Sequence, residues 1–439
     1  MENKKDHVVR VYPGRMQGKV LIPPSKSLSH RAIMAASLTD DVSSVGNVVL
    51  SQDILATMTA METMGAKIER SLDDNGRTML TIQGIFASST KPKQDRLSFH
   101  CRESGSTLRF IIPLAMLFGK QVQFDGTGKL VERPLDVYTE LFAYKEVPYV
   151  YEHQRLPLIV SGDWVSGIYP LRGDVSSQFI TGLLFTLPLL PGDSEIRMTT
   201  PLESRGYVDL TLDMLARFGI EIIEEDQRFL IPGGQRYRAC DVLVEGDYSQ
   251  SIFFLLGGIL SGPLEIEGLS PTSRQGDAVI LELLERMQAD VSFADDDSLL
   301  VRPGCTKSLV VDCNEFPDLV PALAVLCALS EGTSHLTHLE RLKIKESDRL
   351  EAVYQNLKAL GVEVERDESS LTIQGRQSFH GTKVDGWNDH RMVMSMAMAA
   401  LANQGYLDIT DPECVSKSYP DFWKDYKALG GIIDEWRVG

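Results

Sequence analysis

The chain is short of positive charge: 44 Lys and Arg stand against 61 Asp and Glu over 439 residues, a formal net charge of −17. That balance argues against general nucleic-acid binding, because a phosphate backbone needs a basic face. Long apolar runs are missing too. The longest, Ser251–Leu260 and Met392–Ala402, are too short to span a bilayer. The opening MENKKDHVVR lacks the apolar core of a signal peptide. The six cysteines (101, 240, 305, 313, 327 and 414) form no CxxC pair. Without an export signal they read as free thiols of a reducing cytoplasm. His335 and His338 form an HxxH with no third ligand nearby, so no metal is expected. There is no low-complexity tract, and 43% hydrophobic with 24% charged residues describes a globular chain. Its length calls for two domains.

What is present is a repeat. Six stretches begin on an aspartate, at Asp53, Asp136, Asp209, Asp277, Asp348 and Asp421, at steps of 68 to 83 residues. Asp is a favoured helix N-cap, and its charge suits the helix dipole. Apolar residues then recur at helical spacing, as in Leu210, Leu212, Met214, Leu215 and Phe218. A Gly or a short break follows in five copies: Gly65, Val147-Pro148, Gly219, Gly361 and Gly430. Gly fits a left-handed helix end. In the fourth copy Ala289-Asp290 stands there instead. Alternating apolar residues beyond the break read as a strand. One α/β folding unit used six times divides naturally into three and three.

Against the acidic background, short segments join Lys or Arg to Gly or Ser. They are PPSKSLSHR (Lys26, Ser27, Arg31), RESGSTLR (Gly105, Arg109), GTGKLVERP (Lys129, Arg133) and GDVSSQF (Ser176, Ser177, Gln178). Further along come KIKESDR (Lys343, Lys345, Glu346, Arg349), NDHRM (Arg391) and SKSYPDF (Lys417). Each alone reads as a cap or a solvated helix start. Nearly all precede a helical run, where amides and cations together can hold an anion. The set suits small substrates carrying phosphates and carboxylates. Asp318 lies between the strand-like SLVVDCNEF and a helix, and is either another N-cap or a general acid or base. Glu346, flanked by Lys345 and Arg349, is either an ordinary ion pair or a second acid or base.

From about Val20 to Tyr426 the chain resembles the 5-enolpyruvylshikimate-3-phosphate synthase family, the 3-phosphoshikimate 1-carboxyvinyltransferases. PSKSLSHR, SGSTLR, VSSQF, ESRGYVDLT, IPGG, GDYSQ, FPDLVP, KIKESDRL, NDHRM and SKSYPDF carry the resemblance in order. It implies an α/β (α+β) fold of two similar domains. Each has three βαβαββ-type repeats around a pseudo-threefold axis, with the active site in the interdomain cleft. By analogy one domain takes residues 1–21 and 240–439, and the inserted one takes 22–239. The implied reaction moves the enolpyruvyl group of phosphoenolpyruvate to the 5-hydroxyl of shikimate 3-phosphate, on the route to chorismate and aromatic amino acids. No metal or redox cofactor is implied. A cytoplasmic monomer acting on these two small molecules is expected, with neither nucleic acid nor membrane as partner.

The resemblance also assigns residues. Lys26 would touch both substrates and assist proton transfer. Ser27, Arg31, Ser176, Ser177, Gln178, Ser204 and Lys345 would bind shikimate 3-phosphate, with Tyr207 walling its pocket. Asp318 would take the 5-hydroxyl proton, and Glu346 would act near C3 of phosphoenolpyruvate. Gly105, Lys129, Gln178, Arg349, Arg391 and Lys417 would hold phosphoenolpyruvate. Two positions depart from well-known members. Lys129 stands where they have an arginine, and Arg341 where some have an asparagine, so Arg341 is left out of the site. The family is the target of glyphosate, and Gly105 would leave room for it. Two rival readings remain. The sister enzyme acting on UDP-N-acetylglucosamine generally has a Cys in the loop that here reads GTGKLVERPLD, without one. A non-catalytic anion-binding homologue would usually have lost charges that this chain keeps.

Overall fold

The computed structural model describes residues 7–87 and 93–438. Among the described residues the strands form six sheets of four strands each. Every sheet joins one parallel pair to two antiparallel pairs. Val42–Gly46, for example, pairs in parallel with Val242–Leu243 and antiparallel with Thr78–Gln83, which in turn pairs with Lys67–Leu72. This is the sixfold unit expected from the aspartate repeats, as a mixed α/β chain.

The chain divides into two compact units, Met1–Ser25 with Glu245–Gly439, and Lys26–Val244. The joints fall a few residues beyond the expected 21/22 and 239/240. The reason is local hydrogen bonding. Ser25 N donates to Glu245 O at 2.8 Å and Asp247 N to Pro23 O at 2.9 Å, which ties both segments into one unit. Val244 N donates to Gly46 O at 3.0 Å and stays with the other.

In unit Lys26–Val244, three helices are buried almost throughout: α1 (Lys26–Ser37), α3 (Gly105–Ala115) and α5 (Ser177–Thr186). Three more show one face to solvent: α2 (Gln52–Met64), α4 (Asp136–Tyr144) and α6 (Arg205–Arg217). The other unit repeats the scheme. Its buried helices are α7 (Tyr248–Leu260), α9 (Val320–Cys327) and α11 (His390–Ala399). Its half-exposed ones are α8 (Ile280–Arg286), α10 (Arg349–Ala359) and α12 (Phe422–Ala428). Each unit has its own hydrophobic core. Burial of these all-round apolar helices is the main stabilising term.

The six aspartates do not all cap helices. Asp348 does, accepting from Glu351 N at 3.0 Å. Asp421 holds the cap position without a side-chain bond. Ser51 caps α2, which places Asp53 inside the first turn. Asp136 is the first residue of α4 and Asp277 lies in a short 3-10 turn, Gly276–Val279. Asp209 is well inside α6, because the helix already starts at Arg205, whose guanidinium bonds Asp209 at 2.7 Å. The helix ends fit the expectation better. Gly65, Gly219, Gly361 and Gly430 all have positive φ, and in the two copies without glycine Glu146 and Gln288 take that conformation.

Candidate active site

The starts of the buried helices differ between the units. In unit Lys26–Val244 the caps of α3 and α5 are Ser104 and Ser176, and α1 follows directly on Ser25, the residue that ends the first segment of the other unit. These are neutral, so the positive helix ends keep their field for an anion. In the other unit Asp247 caps α7, Asp389 caps α11, and Asp318 lies just before Leu319, the cap of α9. Here carboxylates stand at the helix starts and cations are gathered around them.

Lys26 opens α1, and its Nζ lies 3.1 Å from Asp53 Oδ2. Arg31 is buried one turn on. Its Nη1 donates to Ser27 O at 2.8 Å, Nη2 to Tyr207 O at 2.9 Å, and Nε to Thr211 Oγ1 at 2.9 Å. Burial pushes this guanidinium down to about 10. Arg31 thus ties the start of α1 to α6 and fixes the backbone beside Ser27 and Tyr207. Ser176 accepts from Gln178 N at 3.3 Å, and Ser177 is buried. Ser204 precedes α6 in the left-handed region, at φ +52°, and is buried.

Gln178 sits between two partners. Arg109 Nη1 donates to its Oε1 at 2.8 Å, and its Nε2 donates to Ser106 Oγ at 2.9 Å. A guanidinium only donates, so the amide orientation follows from Arg109. A Cβ at Gly105 would come within 3 Å of the Arg133 guanidinium, the movable end of a long side chain. Lys129 is not gathered with this group. Its side chain is 67% exposed and its Nζ lies 3.9 Å from Glu132 in the next turn.

In the other unit, Asp318 is the point of convergence. Lys345 Nζ lies 3.3 Å and Arg349 Nη1 2.7 Å from Asp318 Oδ1, and Arg391 Nη2 lies 3.6 Å from Oδ2. Since Leu319 holds the cap position, the Asp318 carboxylate faces these cations rather than a helix end. Arg349 is 1% exposed and serves three carboxylates. Besides Asp318 it donates to Glu346 Oε2 at 2.5 Å and to Asp389 at 2.8 and 3.3 Å. Burial opposes charge on both Arg349 and Asp389, but the three carboxylates Asp389, Glu346 and Asp318 together leave the arginine raised, and Arg349 with His390 leaves the aspartate lowered. Lys345 goes the other way. Burial pushes it down to about 8, opposed by Asp318 and assisted by Arg341 and Arg349. Arg341, left out by the sequence reading, is therefore a buried neighbour of this cluster. Lys417 donates to Asn388 O at 2.7 Å, which joins SKSYPDF to the NDHRM turn.

Lys26, Ser27, Ser176, Ser177, Gln178, Ser204 and Gly105 thus lie at or near helix starts of one unit, and Asp318, Lys345, Glu346, Arg349, Arg391 and Lys417 in a second group. Asp53, Arg109 and Asp389, each bonded to a candidate, are residues that the sequence reading did not assign to the site. Their signal was present for Arg109 and Asp389, which lie inside SGSTLR and NDHRM. Chemically, the first group offers hydroxyls, amides and a lysine to a phosphate. The second offers carboxylates poised among cations, as proton transfer requires.

The family model described as EPSP synthase (3-phosphoshikimate 1-carboxyvinyltransferase) matches residues 11–426. The 3-phosphoshikimate 1-carboxyvinyltransferase of Clostridium kluyveri is 45% identical over 98% of this chain and 99% of its own length. That of Clostridium acetobutylicum is 44% identical over the same shares. Among solved structures, EPSP synthase from Acinetobacter baumannii superposes with a TM-score of 0.79 at 24% identity, covering 98% of this chain and 100% of that one. The enolpyruvyl transferase NikO from Streptomyces tendae gives 0.77 at 16% identity, over 98% and 99%. These two likenesses speak for the fold alone. By the extent of the family match and of the Clostridium identities, the chain belongs to the EPSP synthase (3-phosphoshikimate 1-carboxyvinyltransferase) family.

Proposed function

We propose that the protein transfers the 1-carboxyvinyl group of phosphoenolpyruvate to the 5-hydroxyl of shikimate 3-phosphate and releases phosphate, in the pathway to chorismate and aromatic amino acids. The observation that carries this is the Asp318 carboxylate held among Lys345, Arg349 and Arg391. Asp318 accepts the 5-hydroxyl proton as the oxygen attacks C2 of phosphoenolpyruvate. C3 gains a proton in the same step, and a tetrahedral intermediate forms. That intermediate expels phosphate and loses a proton from C3, which regenerates the double bond. Glu346 and Lys26 are the groups assigned to the C3 proton and to charge building at the phosphate.

Ser27, Ser176, Ser177, Gln178 and Ser204 bind shikimate 3-phosphate, where neutral caps leave helix ends open to its phosphate. Arg31 fixes the backbone of that pocket, and Lys345 meets the ring hydroxyl beside Asp318. Arg349, Arg391 and Lys417 take phosphoenolpyruvate with Gln178 and Lys26. Gly105 keeps the backbone close, and Lys129 contributes a point charge from its exposed turn. No cofactor takes part in this reading. A monomer in the cytoplasm is proposed; among the described residues no helix is long and apolar enough to cross a membrane. VSSQF and the cysteine-free GTGKLVERPLD favour shikimate 3-phosphate over a sugar nucleotide.

Turnover in D2O tests the chemistry. The expected product is an enolpyruvyl ether carrying deuterium at its vinyl carbon, formed only when shikimate 3-phosphate is present. Product without deuterium would refute the addition–elimination route, and no product would refute the function.

A further inference from the structure

Two residues that lack the freedom of glycine stand side by side in the left-handed region just before α11: Trp387 at φ +54° and Asn388 at φ +47°. Such backbone persists only where its surroundings over-determine it. Here they do. Trp387 N donates to Asp385 Oδ1 at 2.7 Å. Gly386 N donates to Thr410 Oγ1 at 2.9 Å, and that hydroxyl donates to Asp385 Oδ1 at 3.1 Å. The side-chain amide of Asn356, buried on α10, accepts from Asp385 N at 3.1 Å and donates to Asp385 O at 2.8 Å. Gly386 lets the turn lie against the strand Leu407–Thr410, since a Cβ there would come 2.2 Å from Thr410 O.

Asn388 is gripped at both ends. Its N–H donates to Asp411 Oδ2 at 3.0 Å, and its carbonyl accepts from Lys417 Nζ at 2.7 Å. Both partners come from one stretch: Asp411 holds the cap position of the 3-10 turn Pro412–Lys417, and Lys417 ends it. Turn and stretch thus close into a ring. One residue on, Asp389 accepts from Arg391 N at 2.9 Å at the start of α11 and from Arg349 Nε at 2.8 Å.

We propose that Asp411 is a positioning residue: it clamps Asn388 in the left-handed conformation, and so sets the carbonyl that holds the Lys417 ammonium in place for phosphoenolpyruvate. The inference rests on the reading of Lys417 given above. With φ in the ordinary negative range, the Asn388 peptide would turn and its carbonyl would leave Lys417. A carboxylate is the strong kind of acceptor for a backbone N–H, which suits a bond that must hold a disfavoured conformation. Asp411 acts through the backbone of Asn388, and it is the conformation of that residue, more than its side chain, that matters.

The test compares Asp411→Ala, Asp411→Asn, Asn388→Gly and Asn388→Val with the wild type, using shikimate 3-phosphate and phosphoenolpyruvate. Asp411→Ala is expected to raise KM for phosphoenolpyruvate about tenfold, as loss of one charge-assisted hydrogen bond does. KM for shikimate 3-phosphate should stay within about twofold, because that substrate is bound elsewhere. Asp411→Asn keeps an acceptor oxygen and should stay within about threefold of wild type for both substrates. Asn388→Gly keeps access to positive φ and should leave both KM values near wild type. Asn388→Val, β-branched and excluded from that region, should reproduce the rise seen in Asp411→Ala. Equal changes in both KM values, or a Gly variant as impaired as the Val variant, would overturn the proposal. Amide hydrogen exchange of Asn388 in ligand-free protein needs no substrate. It should be slow in the wild type and fast in Asp411→Ala, and equal rates in the two would overturn the clamp. If the wild type failed to turn over these substrates, the functional reading would fall and the exchange rates would still decide the clamp.

Discussion

Replacing Arg349 by methionine removes a cation that bonds three carboxylates at once, Asp318, Glu346 and Asp389. Methionine fills much of the same space, so packing changes little. The charges do not forgive it: Asp389 is 0% exposed and has no water to turn to. Losing one partner of a buried ion group costs about 3–5 kcal/mol. For a unit of this size that is a fall in melting temperature on the order of 10 °C. The sign of the pH dependence is fixed as well. Asp389 is held below its ordinary value by Arg349, so the stability it contributes is present above the unfolded pKa and is lost as pH falls through the folded one. The variant lacks that contribution, and its carboxylates gain relief from protonation. The gap to wild type should therefore be widest near pH 7.5 and narrow towards pH 4.5. Urea melts followed by the fluorescence of Trp387 and Trp423, both in that unit, would read it. A loss under about 1 kcal/mol, or a gap that widens with acid, would refute the view of Arg349 as the electrostatic centre.

Two further outcomes follow from the same cluster. Lys345, pushed down to about 8, should impose a fall in kcat/KM for shikimate 3-phosphate above that pH, and Lys345→Arg should flatten this limb. Because its folded value lies below the ordinary 10.5, its contribution to stability rises with pH between about 8 and 10.5; urea melts across that range check the sign. Asp318→Asn keeps the shape but cannot accept a proton. It should lower kcat by about 10²–10⁴ with little change in substrate affinity, measured by single-turnover kinetics; an unchanged kcat would reduce Asp318 to a structural role.

Much of the fold was legible because its unit recurs. A helix pattern, a left-handed break and a strand, seen six times, are local features, and local features are what residue spacing encodes. The cap positions were less so. Asp209 lies in the same relation to its apolar stripe as Asp348, yet the chain upstream at Ser204-Arg205 is already turning into helix. For the site, the segments with Lys and Ser marked where ligands could go, since such residues gather near helix starts. Their buried partners left weaker marks. Lys26 meets Asp53 at a separation of 27 residues, Arg349 meets Asp389 at 40 and Arg391 meets Ser249 at 142. Only packing of the helices brings such pairs together. The exposed position of Lys129 was illegible for the same reason.

The most direct test is phosphate release from phosphoenolpyruvate, with shikimate 3-phosphate or UDP-N-acetylglucosamine as the acceptor. The account predicts release with shikimate 3-phosphate, none with the sugar nucleotide, and loss of the signal in Asp318→Asn. Release with the sugar nucleotide alone, or with neither acceptor, would contradict it.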